Sequence, residues 1–149
     1  MHTENTIVMR APLDRIFATA ADLSLWPKIL PHYRYVTYLS RSPEKNLVCM
    51  AARRGWMPVR WTAEQEIDHN RHEVRFRHLT WFTKGMSVVW TFTNERGGVL
   101  VKIRHDLTSG IPLIGRFFAE RIVGEFFIRH IASQTLASMK GYLEADRGG

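Results

Sequence analysis

Apolar and polar residues alternate with a period of two through the middle of the chain, as they do in a β-strand with one buried face. The stretch PVRWTAEQEI, residues 58–67, shows this clearly, because every second residue from Val59 to Ile67 belongs to a mostly apolar face. That face carries Trp61 and then the neutral amide of Gln65. Two interpretations stay open for it: ordinary core, or the wall of a binding site.

Seven segments have strand-like patterns, and residues that favour tight turns separate the last six. The predicted strands cover about 3–10, 33–41, 46–54, 57–68, 72–81, 84–95 and 99–108. The turn signals are Ser42-Pro43, Gly55, His69-Asn70, Lys84-Gly85 and Gly97-Gly98. Because short turns join neighbouring strands in opposite directions, the pattern predicts an antiparallel meander.

Three segments have helical signals. Pro12 is at a position tolerated in a first turn, and a short helix is predicted through Ala21. A second short helix is predicted over 22–30, and a long one over 113–145. The long helix has a row of residues spaced to cover a sheet: Phe127, Ile131, Thr135, Met139 and Tyr142. A long helix against a curved antiparallel sheet tends to leave an apolar cavity between the two.

The composition favours one globular domain spanning residues 1–149, with 45% hydrophobic and 23% charged residues. We expect a cytoplasmic protein, since neither a secretory leader nor an apolar run of about 18 residues is evident. Cys49 is the single cysteine, so an internal disulfide and a multi-cysteine metal site are excluded. The net charge of +7 favours acidic partners.

The element order and two stretches, IVMRAPLDRIFATAADLSLWPKILPHY and GGVLVKIRHDL, carry a family resemblance. The chain resembles the helix-grip superfamily (Bet v 1-like, SRPBCC), and within it the branch of polyketide cyclases and aromatases. The resemblance implies an α+β fold: a curved seven-stranded antiparallel sheet wrapped around a long C-terminal helix, with two short helices after strand 1. It also implies a hydrophobic, aromatic or polyketide-like ligand in the cavity, and no cofactor.

The resemblance places Tyr33, Trp61 and Trp90 at pocket positions of the monodomain aromatase/cyclases. Those enzymes show a W-x-S-x-R strand whose arginine is proposed to handle proton chemistry. Here Ala63 and Gln65 stand at the two polar positions, so the fixed charge is missing. An amide still offers hydrogen bonds, but it does not titrate near neutral pH.

The inward faces of the neighbouring strands add candidates for the cavity. Ligand-binding residues are expected at Trp61, Gln65, Phe76, Trp90, Phe92 and Phe126. A cyclisation needs a base and a hydrogen-bond donor, for which His78, His105 and Tyr33 are the catalytic candidates. The alternative is that both histidines are core residues whose hydrogen bonds are satisfied within the protein. A His-x-x-x-His spacing is lacking, and the one His-x-Glu, His2 to Glu4, lies at the start of the chain, so no metal site is expected.

Two functions from different classes therefore stay open. The first is a cofactor-independent cyclase, aromatase or dehydratase, and the second is a non-catalytic carrier of a quinone or lipid. The basic charge suggests an acidic acyl carrier protein or an anionic membrane surface as partner, whereas nucleic acid is not expected. Phe118, Ile122 and Phe126 form a second apolar row that could pack internally, gate the cavity, form a homodimer or contact a membrane.

Overall fold

A computed structural model describes residues 2–81, 83–107 and 128–145. Seven strands form one antiparallel sheet in the order β1-β7-β6-β5-β4-β3-β2. The strands are β1 His2–Met9, β2 Tyr33–Ser40, β3 Lys45–Arg54, β4 Met57–Asp68, β5 Glu73–His78, β6 Ser87–Glu95 and β7 Gly98–Asp106. The helices are α1 Leu13–Ala21, α2 Trp26–Ile29 and α3 Arg129–Ala145. The predicted α+β helix-grip architecture is confirmed.

The ends of several elements differ from the sequence prediction. Strands β5 and β6 are shorter than predicted because a hydrogen-bonded turn joins them, in which the Gly85 N–H donates to the His78 carbonyl at 2.8 Å. Helix α2 begins late because the Asp22 carboxylate accepts a bond from the Ser24 N–H at 3.1 Å, which holds a turn there. The predicted helix over 113–145 is described from Arg129 onward, so its part over 113–127 lies outside the described residues.

Helix α3 packs across the concave face of the sheet, and its buried residues are Ala132, Thr135, Leu136, Met139 and Leu143. Of the row that the sequence predicted, Thr135 and Met139 are buried, whereas Tyr142 is partly exposed. The facing strand positions are the alternating residues of each strand, among them Val74 and Phe76 on β5. The core therefore lies between α3 and the concave face.

The two ends of the sheet are covered differently. The β3–β4 and β5–β6 connections lie at one end, which we call the cavity end, and the β4–β5 connection lies at the other. At that other end Phe17 of α1 packs edge-on against Phe92, with ring centroids 5.7 Å apart. The same ring contacts His72 of the β4–β5 connection at 5.1 Å. Helix α1 thus closes the end of the sheet opposite the cavity end.

Gln65 holds α1 against the sheet. Its side chain is fully buried. The Gln65 Nε2 donates to the Ala21 carbonyl at the end of α1, at 3.0 Å, and its Oε1 accepts a bond from Asn46 Nδ2 on β3, at 2.8 Å. Asn46 in turn accepts a bond from the Ser42 N–H at 2.8 Å. Both ends of the Gln65 amide are therefore used in joining α1, β3 and β4.

Replacing Gln65 by Leu is expected to destabilise the protein. The variant leaves the Ala21 carbonyl and the Asn46 amide buried without those partners, which costs about 2–4 kcal/mol of unfolding free energy in total. Urea denaturation followed by circular dichroism measures this. Equal stability of Gln65→Leu and the wild-type protein would contradict the structural role.

A double-mutant cycle with Asn46→Ala provides the control. The double variant is expected to lose about 1 kcal/mol less than the sum of the two single losses, because it leaves neither partner of the Asn46–Gln65 bond unsatisfied. Strict additivity would show that the two amides do not interact.

Candidate functional site

A cavity lies between the concave face of the sheet and the first turns of α3. Its volume is about 70 Å³. Its lining is mostly apolar and aromatic. The described residues that line it are Trp26, Tyr33, Met50, Val59, Trp61, Phe76, His78, Trp81, Thr83, Met86, Val88, Trp90, Ile103, His105, Ile128, Ile131, Ala132 and Thr135.

Aromatic rings in mutual contact form most of the cavity wall. Trp26, from α2, is their centre, with ring centroids 5.1 Å from Tyr33, 5.6 Å from Trp90 and 6.1 Å from Phe76. Tyr33 in turn lies edge-on to Trp61 at 6.2 Å. The Trp26 indole N–H donates to the Thr19 carbonyl at 3.3 Å, so its polar edge is satisfied. Offset and edge-on contacts of this kind favour planar aromatic partners.

His78 is held between a ring and a hydroxyl. Its imidazole stacks on Trp61, with centroids 5.4 Å apart and planes inclined by 6°. Its Nδ1 is hydrogen-bonded to the Thr83 hydroxyl at 2.6 Å. Burial and, to a smaller extent, the nearby imidazole of His105 lower the pKa of His78 to about 3. His78 is therefore neutral at physiological pH.

His105 differs from His78 in its hydrogen bonding. It lies on β7 opposite Val88 of β6 and Thr3 of β1, with its side chain at the cavity. Burial lowers its pKa to about 4, although the Asp106 carboxylate opposes the shift. The Nδ1 atom is buried and has no hydrogen-bond partner among the residues that the structure describes. A buried imidazole nitrogen without a partner is costly to the protein.

A third polar group joins β2 to α3. The Thr135 hydroxyl donates to the Ile131 carbonyl at 2.7 Å and is 2.7 Å from His32 Nε2, so its oxygen accepts the bond from the His32 N–H. Burial lowers the pKa of His32 to about 4. Burial also raises the pKa of Tyr33 above its ordinary value, and a hydrogen bond with Thr135 partly offsets the rise. Tyr33 is thus a neutral hydrogen-bond donor at physiological pH.

The lining has polar groups but no fixed charge. Among the described lining residues none is Asp, Glu, Lys or Arg, and the two lining imidazoles have lowered pKa values. A site of this kind favours neutral apolar ligands, because burying a charged group without a partner is costly. Within the described ranges, no group of three or more His, Cys, Asp or Glu side chains could hold a metal ion. None of the described helices is long and apolar enough to cross a membrane.

Six of the predicted site residues come together around the cavity. They are Tyr33, Trp61, Phe76, His78, Trp90 and His105. Gln65 and Phe92 are absent from the described lining, and Phe126 lies outside the described residues, as does the row it forms with Phe118 and Ile122. The row's predicted roles therefore stay predictions.

Gln65 and Phe92 lie on the concave face where α1 covers it, although Phe76, the register partner of Gln65 on β5, reaches the cavity. Gln65 follows Trp61 by four residues on β4, which is about 13 Å of strand. At that distance the concave face is covered by α1, whose Ala21 carbonyl binds Gln65 and whose Phe17 packs on Phe92. The positions have the predicted inward face, but α1 separates them from the cavity end.

Sequence reasoning missed Trp26, Thr83 and Thr135 as cavity residues. Trp26 was treated only as part of the family signature, and Thr135 only as a residue facing the sheet. The signal for Trp26 was its place in a short helix that must pack against inward aromatic residues of the sheet. Thr83 lies in the irregular connection between β5 and β6, where periodicity carries no information.

Comparison of the sequence with known proteins gives consistent matches. Residues 9–139 match the model of the family described as polyketide cyclase/dehydrase and lipid transport. A protein of Streptomyces cyaneus that bears the name of a polyketide cyclase is 30% identical over 110 residues, which are 70% of this chain and 71% of that protein. A similarly named protein of Streptomyces halstedii is 27% identical over 107 residues, 68% of this chain and 95% of that protein.

Solved structures share the fold at low sequence identity. The Zhui aromatase/cyclase of Streptomyces sp. R1128 is similar over 100% of this chain and 98% of its own, with a TM-score of 0.86 and 18% identity. A START superfamily protein of Mycobacterium smegmatis is similar over 97% of both chains, with a TM-score of 0.69 and 10% identity. With the match over residues 9–139, the chain belongs to the polyketide cyclase/dehydrase and lipid transport family.

Proposed function

We propose that the protein binds a neutral, hydrophobic and planar molecule, of aromatic or polyketide-like character, in the cavity between the sheet and α3. The observation that carries the proposal is the lining: six aromatic residues surround the space, and none of the described lining residues has a fixed charge. The cavity volume of about 70 Å³ is below the roughly 300–1,000 Å³ of small-molecule sites, so a ligand of this class requires the side chains of the wall to move apart. The family description and the names of the relatives support the ligand class.

Catalysis of a cyclisation, aromatisation or dehydration is the second candidate, and His105 is the observation that favours it. The His105 imidazole lines the cavity and its Nδ1 has no hydrogen-bond partner among the described residues, so the ring could accept a proton next to a ligand carbonyl, and the Tyr33 hydroxyl could donate a hydrogen bond to the oxygen that becomes negative. Its pKa of about 4 makes His105 a weak base at neutral pH. Catalysis would therefore require that a bound carbonyl ligand raises the pKa of His105 by ordering polar groups around its imidazole.

Binding and carrying a ligand without a reaction require only the wall of the cavity. Binding is therefore the first proposal and catalysis the second. The position at which the resemblance would place an arginine holds Gln65, whose two ends bind Asn46 and Ala21. Gln65 therefore supports the fold near the site and supplies no proton. An acidic acyl carrier protein, an anionic membrane or a second copy of the chain as partner, and a cytoplasmic location, stay predictions.

Trp61→Ala is expected to weaken binding of a neutral planar dye, Nile red, by about tenfold, because the variant removes a wall ring that stacks with His78. Fluorescence titration measures the dissociation constant. Trp56→Ala is the matched control, since Trp56 is 86% exposed and is not among the lining residues. Equal affinities of the wild-type protein and Trp61→Ala would contradict the site.

Native mass spectrometry and solvent extraction of the purified protein identify what the cavity carries. We expect a neutral apolar molecule that Trp61→Ala loses. A co-purified quinone or phospholipid would count for carriage and against cyclisation.

Stability is expected to fall as the pH is lowered from about 6.5 to about 4. His78 and His105 have pKa values of about 3 and 4 in the folded protein, below the 6.5 of an ordinary histidine, so protonation favours the unfolded chain. The stability that the two neutral imidazoles contribute is fully present above pH 6.5. For His105, the loss of unfolding free energy is of the order of 3 kcal/mol by pH 4. Urea denaturation at a series of pH values measures it.

The variant His105→Gln is expected to have a shallower loss of stability over the same pH range, because it removes one of the three buried imidazoles with lowered pKa values, which are His32, His78 and His105. His130→Gln is the control, since His130 is exposed at the start of α3. A pH dependence that is equally steep in the wild-type protein and His105→Gln would show that His105 is not buried in its neutral form.

If the protein is a cyclase, His105→Ala is expected to lower turnover of a linear poly-β-keto thioester by about 100-fold or more, the usual scale for loss of a general base. Nile red affinity should change little. His78→Ala tests the second imidazole in the same assay. Turnover that is unchanged in both variants would reject both histidines as bases, and absence of product with the wild-type protein would favour the carrier.

A further inference from the structure

We propose that the turn between β3 and β4 docks the protein on an anionic membrane surface. This segment, Arg53 to Trp56, is called here the arginine–tryptophan turn. The inference rests on the proposed function, because it concerns how an apolar ligand reaches the cavity. It adds a surface and a partner that the cavity itself does not specify.

The geometry of the turn makes Trp56 project into solvent. Arg54 pairs with Met57, so only Gly55 and Trp56 connect the two strands. Gly55 has φ +60°, and Trp56 is not among the residues with positive φ, which fits a type II′ turn with glycine at its first central position. The Trp56 side chain is 86% exposed, more than any other large apolar side chain that the structure describes. Transfer of so exposed an indole from water to a less polar environment lowers its free energy.

Positive charge is concentrated around this turn. Between Lys45 and Glu64 the only charged residues are Arg53, Arg54 and Arg60. The Arg53 side chain is exposed, and Arg60 is exposed beside the Tyr35 hydroxyl. The acidic residues of the same hairpin lie at its other end, where Lys45 forms an ion pair with Glu66 at 3.8 Å. The turn is thus a cationic tip on a hairpin whose other end carries the carboxylates.

The hairpin also supplies part of the cavity wall. Met50 of β3 and Val59 and Trp61 of β4 line the cavity, and Val59 follows Trp56 by three residues. The Arg53 N–H donates to the His32 carbonyl at 2.9 Å, which connects the turn to the start of β2 next to Tyr33. The turn is therefore at the cavity end of the sheet. A membrane bound there would lie near the site that the ligand enters or leaves.

The shape of the tip favours a membrane over a protein partner. A protein hot spot is surrounded by further contacts that exclude water, whereas Trp56 projects from a two-residue turn. Of the other exposed large apolar residues of the described chain, Val8 is on β1 and Leu39 is at the opposite end of β2, and only Tyr35 lies near the turn, beside Arg60. Insertion into lipid headgroups needs only an indole at the interface, with arginines beside it to bind phosphates.

Vesicle co-sedimentation tests the proposal. The full chain is mixed with phosphatidylcholine vesicles that contain or lack about 30% phosphatidylglycerol, at low and at high salt. We expect binding only to the anionic vesicles, weakened as salt is raised. Trp56→Ala should weaken it about tenfold, and Arg53→Ala about fivefold, which is the effect of one cation near such a surface.

Arg96→Ala and Leu39→Ala are the matched controls. Arg96 is exposed in the β6–β7 turn, at the opposite end of the sheet from the arginine–tryptophan turn. Leu39 is an exposed apolar residue on β2. Each control removes the same kind of group elsewhere on the surface, so both should bind vesicles as the wild-type protein does. Brominated lipids should quench tryptophan fluorescence in the wild-type protein and not in Trp56→Ala.

Three outcomes would overturn the proposal. The first is no binding to anionic vesicles, and the second is binding that Trp56→Ala and Arg53→Ala leave unchanged. The third is that Trp56→Ala keeps its binding to vesicles but loses binding to an added acidic acyl carrier protein, or loses self-association. That result would make the turn a protein interface. Nile red titration without vesicles separates these outcomes from failure of the cavity, because it depends on Trp61 and not on Trp56.

Discussion

The hydrogen bond from Gln65 to the end of α1 decides which part of the concave face is core and which part is cavity. It is a buried amide-to-carbonyl bond at 3.0 Å, and the same amide accepts a bond from Asn46. With α1 fixed in this way, Phe17 covers Phe92 and the β4–β5 connection. The far end of the sheet is therefore packed, and the space that α3 leaves against the curved sheet is at the cavity end.

The same burial that creates an apolar site also weakens its bases. Water exclusion favours the neutral forms of His78 and His105 and lowers their pKa values to about 3 and 4. A group with so low a pKa is a poor general base at neutral pH, although it is a good hydrogen-bond acceptor. Binding of an apolar ligand and proton transfer thus make opposite demands on one wall, and the lining of this cavity is suited to binding.

The sequence was sufficient for the faces of the strands but not for the extent of the cavity along them. A period of two assigns Trp61 and Gln65 to the same face, and both are buried there. It cannot show that α1 covers that face at Gln65, because this depends on contacts between residues far apart in the chain. Trp26 was missed for the same reason: its ring reaches the cavity from a helix, so no strand pattern points to it.

Trp81, at the cavity end, has a backbone conformation that residue preferences would not predict. Its φ is +72°, a conformation that costs a bulky residue about 1–3 kcal/mol, and it lies in the connection after His78. Two bonds in that connection, from Gly85 to the His78 carbonyl and from Met86 to the Thr83 carbonyl, can offset the cost. The strained position brings an indole to the cavity. Since strain that persists is concentrated where structure serves a site, the β5–β6 connection is part of the site and not only a link between strands.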